Sequence, residues 1–174
     1  NFSTEFWILE FNYLYKSKHM ENIFNAIRNN KIEEVKRILK SNPELVNAKD
    51  ARGSTPLLMA TYYGFYNITE YILSYPQDVN AKDNFGNTAL MGVSFKGDYD
   101  IAKLLIAHEA DVNQKNINDA TSLILAATYG QTQIIELLVQ NGANIYVKDK
   151  HGYTAEMHAK NRGAEIPELI KLVS

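Results

Sequence analysis

Residues 50–64 read DARGSTPLLMATYYG, and the same frame returns as DNFGNTALMGVSFKG at 83–97, NINDATSLILAATYG at 116–130 and DKHGYTAEMHAKNRG at 149–163. The anchors Asp50, Asp83, Asn116 and Asp149 are therefore 33 residues apart. Thr55, Thr88, Thr121 and Thr154 hold one position of the frame, and Gly64, Gly97, Gly130 and Gly163 hold another. Gly53, Gly86 and Gly152 mark a third, where Asp119 is the exception. Thr55 followed by Pro56 reads as an N-cap with proline at the first helical position, where the missing N–H costs nothing. A short helix over Leu57 to Tyr63 then stops at Gly64, because glycine accepts positive φ without steric penalty.

A second helix is expected from about Tyr66 to Ser74, and each unit closes on a motif such as Asp78-Val-Asn-Ala-Lys82 or Asp111-Val-Asn-Gln-Lys115. The apolar set Ile134, Ile135, Leu137 and Leu138 is wide enough to bury more than one flank of its helix. Two such short helices cannot close a core alone, so each unit needs neighbours and stacking follows. The count is three full units, 50–82, 83–115 and 116–148, between an N-terminal capping repeat at 20–49 and a C-terminal one at 149–174.

Over roughly residues 20 to 174 the sequence resembles the ankyrin repeat family, through its period, its Thr-Pro-Leu-Leu variants and its Asp-Val-Asn-Ala endings. The resemblance implies an all-α repeat solenoid of stacked helix-turn-helix units with short β-hairpin loops and a concave face made by hairpins and first helices. It also implies partner contacts from the hairpins and from the end of each first helix. Carried onto this chain, those positions give Arg52, Tyr62, Tyr63, Phe85, Phe95, Lys96, Ile117, Tyr129, His151 and Tyr153 as candidate partner-binding residues. Tyr62, Tyr63, Phe85, Phe95, Tyr129 and Tyr153 would make an aromatic ladder, with Arg52, Lys96 and Arg162 interspersed. Aromatic and arginine side chains dominate interface hot spots. Against this stands the reading that some of the rings pack on the neighbouring helix and only stiffen the array.

The departures from the family pattern carry information. The glycine that ends the second helix survives as Gly142, while Pro43, Pro76 and Glu109 occupy the matching places. Proline cannot take positive φ and biases its predecessor away from helix, so the first two second helices should stop near Ser41 and Ser74. In the last unit Glu156 and Lys160 replace core residues, as an exposed final layer requires. Its second helix is expected from about Pro167, held by Leu169, Ile170, Leu172 and Val173.

Residues 1–19 fall outside the repeat and hold Phe2, Phe6, Trp7, Phe11, Tyr13 and Tyr15. Glu5 and Glu10, the lack of a preceding basic region and the lack of a small-residue cleavage site argue against a secretory signal. The segment reads as an extra helix covering the end of the stack through Phe2, Phe6, Leu9 and Tyr13, or as a leader ahead of a start at Met20. A further possibility is that it lies on the aromatic ladder as a built-in ligand.

Composition narrows the function class. The 174 residues are 45% hydrophobic and 22% charged, with 18 basic and 20 acidic residues and no cysteine, which excludes thiolate metal sites, disulfides and cysteine nucleophiles. No dense basic run offers the charge that non-specific nucleic-acid binding needs. No apolar run approaches the roughly 20 residues of a membrane helix. His19, His108, His151 and His158 include no i, i+4 metal pair, and surface or capping roles account for them. No phosphate-cradling loop, dinucleotide fingerprint or nucleophile elbow occurs, and Glu33-Glu34 reads as a solvated face. The expectation is a non-catalytic scaffold for a protein partner, without cofactor or metal, monomeric and cytoplasmic. The alternative is an accessory or regulatory protein, or a small-ligand binder using the aromatic groove.

Overall fold

The computed structural model describes Met20 and residues 22–163. Among these, α1 covers residues 22–28 and is followed by α2 (Ile32–Ser41), a 3-10 helix (Pro43–Asn47), α3 (Pro56–Tyr63), α4 (Tyr66–Leu73) and α5 (Ala89–Lys96). The order continues with α6 (Tyr99–Ala107), α7 (Ser122–Tyr129), α8 (Thr132–Gln140) and α9 (Ala155–Asn161), and no strand occurs among the described residues. The fold is an all-α repeat solenoid. One row is α3, α5, α7, α9, and a second row is α2, α4, α6, α8, each helix packing on the next of its row.

The helix ends follow from local chemistry. The hydroxyls of Thr55, Thr88, Thr121 and Thr154 accept the N–H groups of Leu58, Met91, Ile124 and Met157, each at 3.3 Å. Gly64 then ends α3 at φ 73°. As the two prolines predict, α2 stops at Ser41 and α4 at Leu73, with Ser74 as its cap. Glu109 does what glycine does at Gly142, taking φ 65° after α6. Left-handed backbone costs a non-glycine residue roughly 1–2 kcal/mol, so packing holds Glu109 there.

The connecting hairpins are tight loops built on the anchor residues. Oδ1 of Asp83 accepts the N–H groups of Phe85 and Asn87 at 2.9 and 2.8 Å, and the Asp83 N–H donates to the Asn87 carbonyl. Asp50, Asn116 and Asp149 repeat this arrangement. Successive loops are tied by one backbone bond each: Asn84 to Arg52, Ile117 to Phe85 and Lys150 to Asn118, N–H to carbonyl. The Asp-Val-Asn motif joins units as well, since the Asn80 and Asn113 side-chain oxygens accept the Asp111 and Asn144 N–H groups at 2.8 Å.

The core is continuous from Ile23 and Ile27 through Leu57, Leu90 and Leu123 to Ala155 and Ala159. Beyond it, Glu156 is half-buried and Lys160 exposed, and they pair at 2.6 Å. The aromatic segment 1–19 and the helix expected near Pro167 lie outside the described residues.

Candidate functional site

All ten candidate partner-binding residues are exposed. Tyr62 and Phe85 are the most open of their rings, at 61% and 60%. Six of the ten, Arg52, Tyr62, Tyr63, Phe85, Phe95 and Lys96, line a single groove of about 560 Å³ between the hairpins and the α3–α5 row. Leu58, Met59, Met91 and Leu125 give it apolar lining beside the buried Thr61 and Thr88, and Asp50 and Asp83 lie at the hairpin side. Ile117, Tyr129, His151 and Tyr153 lie further along the array and do not line it.

The aromatic ladder is not continuous. Phe95 and Tyr129 meet edge to face across neighbouring units at 4.2 Å between centroids. Tyr62 packs on Tyr63 of its own helix, Tyr63 stacks on Phe65, and Tyr153 packs on His158. Between Tyr62 and Phe95 the link is a cation: Lys96 donates to the Tyr62 carbonyl, and its ammonium sits 5.0 Å from the Tyr62 ring centre. Gln131 and Arg162 cap the Phe95 and Thr128 carbonyls in the same way, at 3.2 and 2.6 Å. Lys96 and Arg162 thus hold the last carbonyls of the preceding unit's first helix, a structural task that a view of them as free contact residues omits.

Sequence reasoning missed Arg28, which lines the groove from the end of α1. A strict 33-residue count pairs it with Thr61, yet Asn30, at φ 54°, occupies the left-handed position that Gly64 holds after α3. Asn30 precedes Asp50 by 20 residues, whereas Gly64, Gly97 and Gly130 precede their next anchors by 19. The extra residue moves Arg28 into register with Tyr62. The signal was Asn30 itself, since asparagine tolerates the left-handed region better than most residues.

The histidines also required the structure. His108 bonds the Leu104 carbonyl at 3.0 Å and is a capping residue. His158 is not a surface histidine: it is half-buried on α9 and its Nε2 lies 2.7 Å from Oδ2 of Asp149, whose side chain is 6% exposed. Burial pushes the Asp149 carboxyl up, but the bond from His158 and the N–H groups of Tyr153 and His151 outweigh it and hold the carboxyl below its ordinary range. The pair fastens the last hairpin to its helix. Among the described residues no group of three or more His, Cys, Asp and Glu side chains is arranged to hold a metal ion, and no helix is long and apolar enough to cross a membrane.

Comparison with known proteins agrees with this architecture. A 48-residue stretch is 44% identical to Ankyrin repeat domain-containing protein 49 of Drosophila melanogaster, covering 28% of this chain and 22% of that protein. Residues 23–116 and 90–172 each match the family described as ankyrin repeats (3 copies). Stacked helix pairs, threonine caps and loop-to-loop bonds run through the described part of that span, and the chain belongs to the ankyrin repeat family.

Proposed function

We propose that this chain is a non-catalytic scaffold that binds a protein partner through the groove-bearing face. Ankyrin repeats are generally protein–protein interaction modules. The observation that carries the reading here is the convergence of four exposed rings and three cations, Arg28, Arg52 and Lys96, on one groove lined in part by apolar side chains. Contiguous exposed apolar surface of this kind marks interaction sites. The stacked helices fix these anchors in advance, which lowers the ordering cost of association.

A Tyr62→Ala, Phe85→Ala, Phe95→Ala triple variant tests the reading in pull-downs from source-cell extract, once circular dichroism and melting show that it folds. Loss of a specific protein from the variant lane supports the groove as the interface. Identical lanes reject it. The groove's volume also lies within the ~300–1,000 Å³ of small-ligand sites, which favours a small-ligand role as the second reading. A thermal-shift screen separates the two, because a small ligand at 100 times its Kd adds about 2.7 kcal/mol of apparent stability.

A further inference from the structure

Along α3, α5 and α7 one register carries Met59, Gly92 and Leu125, each lining the groove. Gly92 lies inside α5, where glycine is the poorest ordinary helix former, and a Cβ built on it would meet nothing within 4 Å. Close helix packing therefore does not require the glycine. Its effect is to leave a notch in the groove floor, flanked by the Met59 and Leu125 side chains of the neighbouring helices and overlooked by exposed Phe85 and Phe95.

The charge around the notch is asymmetric in its availability. Arg28, Arg52 and Lys96 line the groove, and among the described residues none of the three pairs with a carboxylate. Lys96 is held on Tyr62, and one Arg28 nitrogen donates to Asn25 at 2.6 Å, while among the described residues the Arg52 side chain makes no such bond. The two groove aspartates are differently placed. Asp50 and Asp83 each spend Oδ1 on two backbone N–H groups of their own loops, so their negative charge is partly neutralised where it stands.

We propose that the groove receives a linear segment of a partner protein that inserts one aromatic or long aliphatic side chain over Gly92 and sets flanking carboxylates against Arg28 and Arg52. The proposal rests on the protein-binding reading above and specifies the partner's chemistry. The notch supplies the pocket for the anchor, the rings exclude water around it, and the two guanidinium groups select acidic over basic neighbours.

Short random peptides displayed on phage and selected against the whole chain test this, with affinities of the enriched peptides measured by fluorescence anisotropy. The expected consensus carries Phe, Tyr, Trp, Leu or Met with Asp or Glu close by, and its affinity falls as salt is raised. Gly92→Leu fills the notch and improves helix propensity, so it should melt no lower than the wild type yet bind at least about tenfold more weakly. Arg52→Glu should weaken binding by about tenfold as well. A consensus that reproduces the Glu5-Phe6-Trp7 pattern supports the same chemistry and names the chain's own first residues as a competing occupant. Enriched peptides that lack acidic residues or an apolar anchor, or that ignore Gly92→Leu, overturn the inference but leave the groove reading standing if the triple alanine variant abolishes them. Peptides that bind that variant unchanged overturn both, and a selection that enriches nothing overturns the inference.

Discussion

The α5/α6 pair and the α1/α2 pair are held by different chemistry. Around α5 the chain uses a buried threonine cap, a left-handed glycine and a carboxylate-centred loop whose hydrogen bonds are short-range. In contrast to α6, whose N-terminus is capped by Asp98, its counterpart α2 has no side-chain cap. Lys31 precedes that helix without a side-chain cap bond, Asn30 stands in for glycine, and the polar support is Lys36–Glu33 at 2.8 Å with the weaker Lys31–Glu34 and Arg37–Glu34 pairs at 3.9 and 3.8 Å. Exposed i, i+3 pairs contribute little, so the first pair depends on burying Ile23, Ile27, Val35 and Leu39 against its neighbour. A stacked array tolerates this, because the stability of each unit includes its interface with the next.

The two regions should respond to substitution with losses of graded size. Leu123→Ala, in the middle of the stack and 1% exposed, should destabilise by about 2–5 kcal/mol in urea unfolding. A smaller loss would mean that the layers repack freely. Asp83→Ala removes the acceptor of two loop N–H groups and should cost about 1.5–3 kcal/mol, with faster amide exchange at Phe85 and Asn87.

At the other end of the array, acid titration probes the Asp149–His158 fastening. Because the folded carboxyl lies below its ordinary 3.8, its contribution is complete above that value and is lost as pH falls through the lower folded pKa. Asp149→Asn should therefore destabilise the protein at neutral pH by about 1 kcal/mol and flatten the acid limb of the stability–pH curve. Glu34→Ala, by contrast, should change stability by about 0.5 kcal/mol or less, since both of its ion pairs are exposed. A loss as large as that of Asp83→Ala would erase the distinction between the two regions.

The unevenness of what could be read from the chain has the same origin. The threonine caps, the early ends of α2 and α4 and the Glu156–Lys160 pair follow from residues within a turn or two of one another. Exposure of Tyr62, Phe85 and Phe95 was legible too, because the frame places them outside the buried register. The broken ladder was not, since ring contacts depend on side-chain direction and Lys96 takes the place between Tyr62 and Phe95. Arg28 was hidden by a single extra residue in the first unit.

The period, the helix ends, the hairpin loops and the family are written in the order of residues alone, because capping, turn formation and apolar periodicity are local and repeat with the frame. That Arg28 joins Arg52 and Lys96 at one groove, that Gly92 leaves a notch rather than a close helix contact, and that His158 folds back on Asp149 follow from the stacking of the units. Those outcomes depend on how one unit's side chains meet the surface of the next. Residues a full repeat apart become neighbours only when the stack buries its shared core.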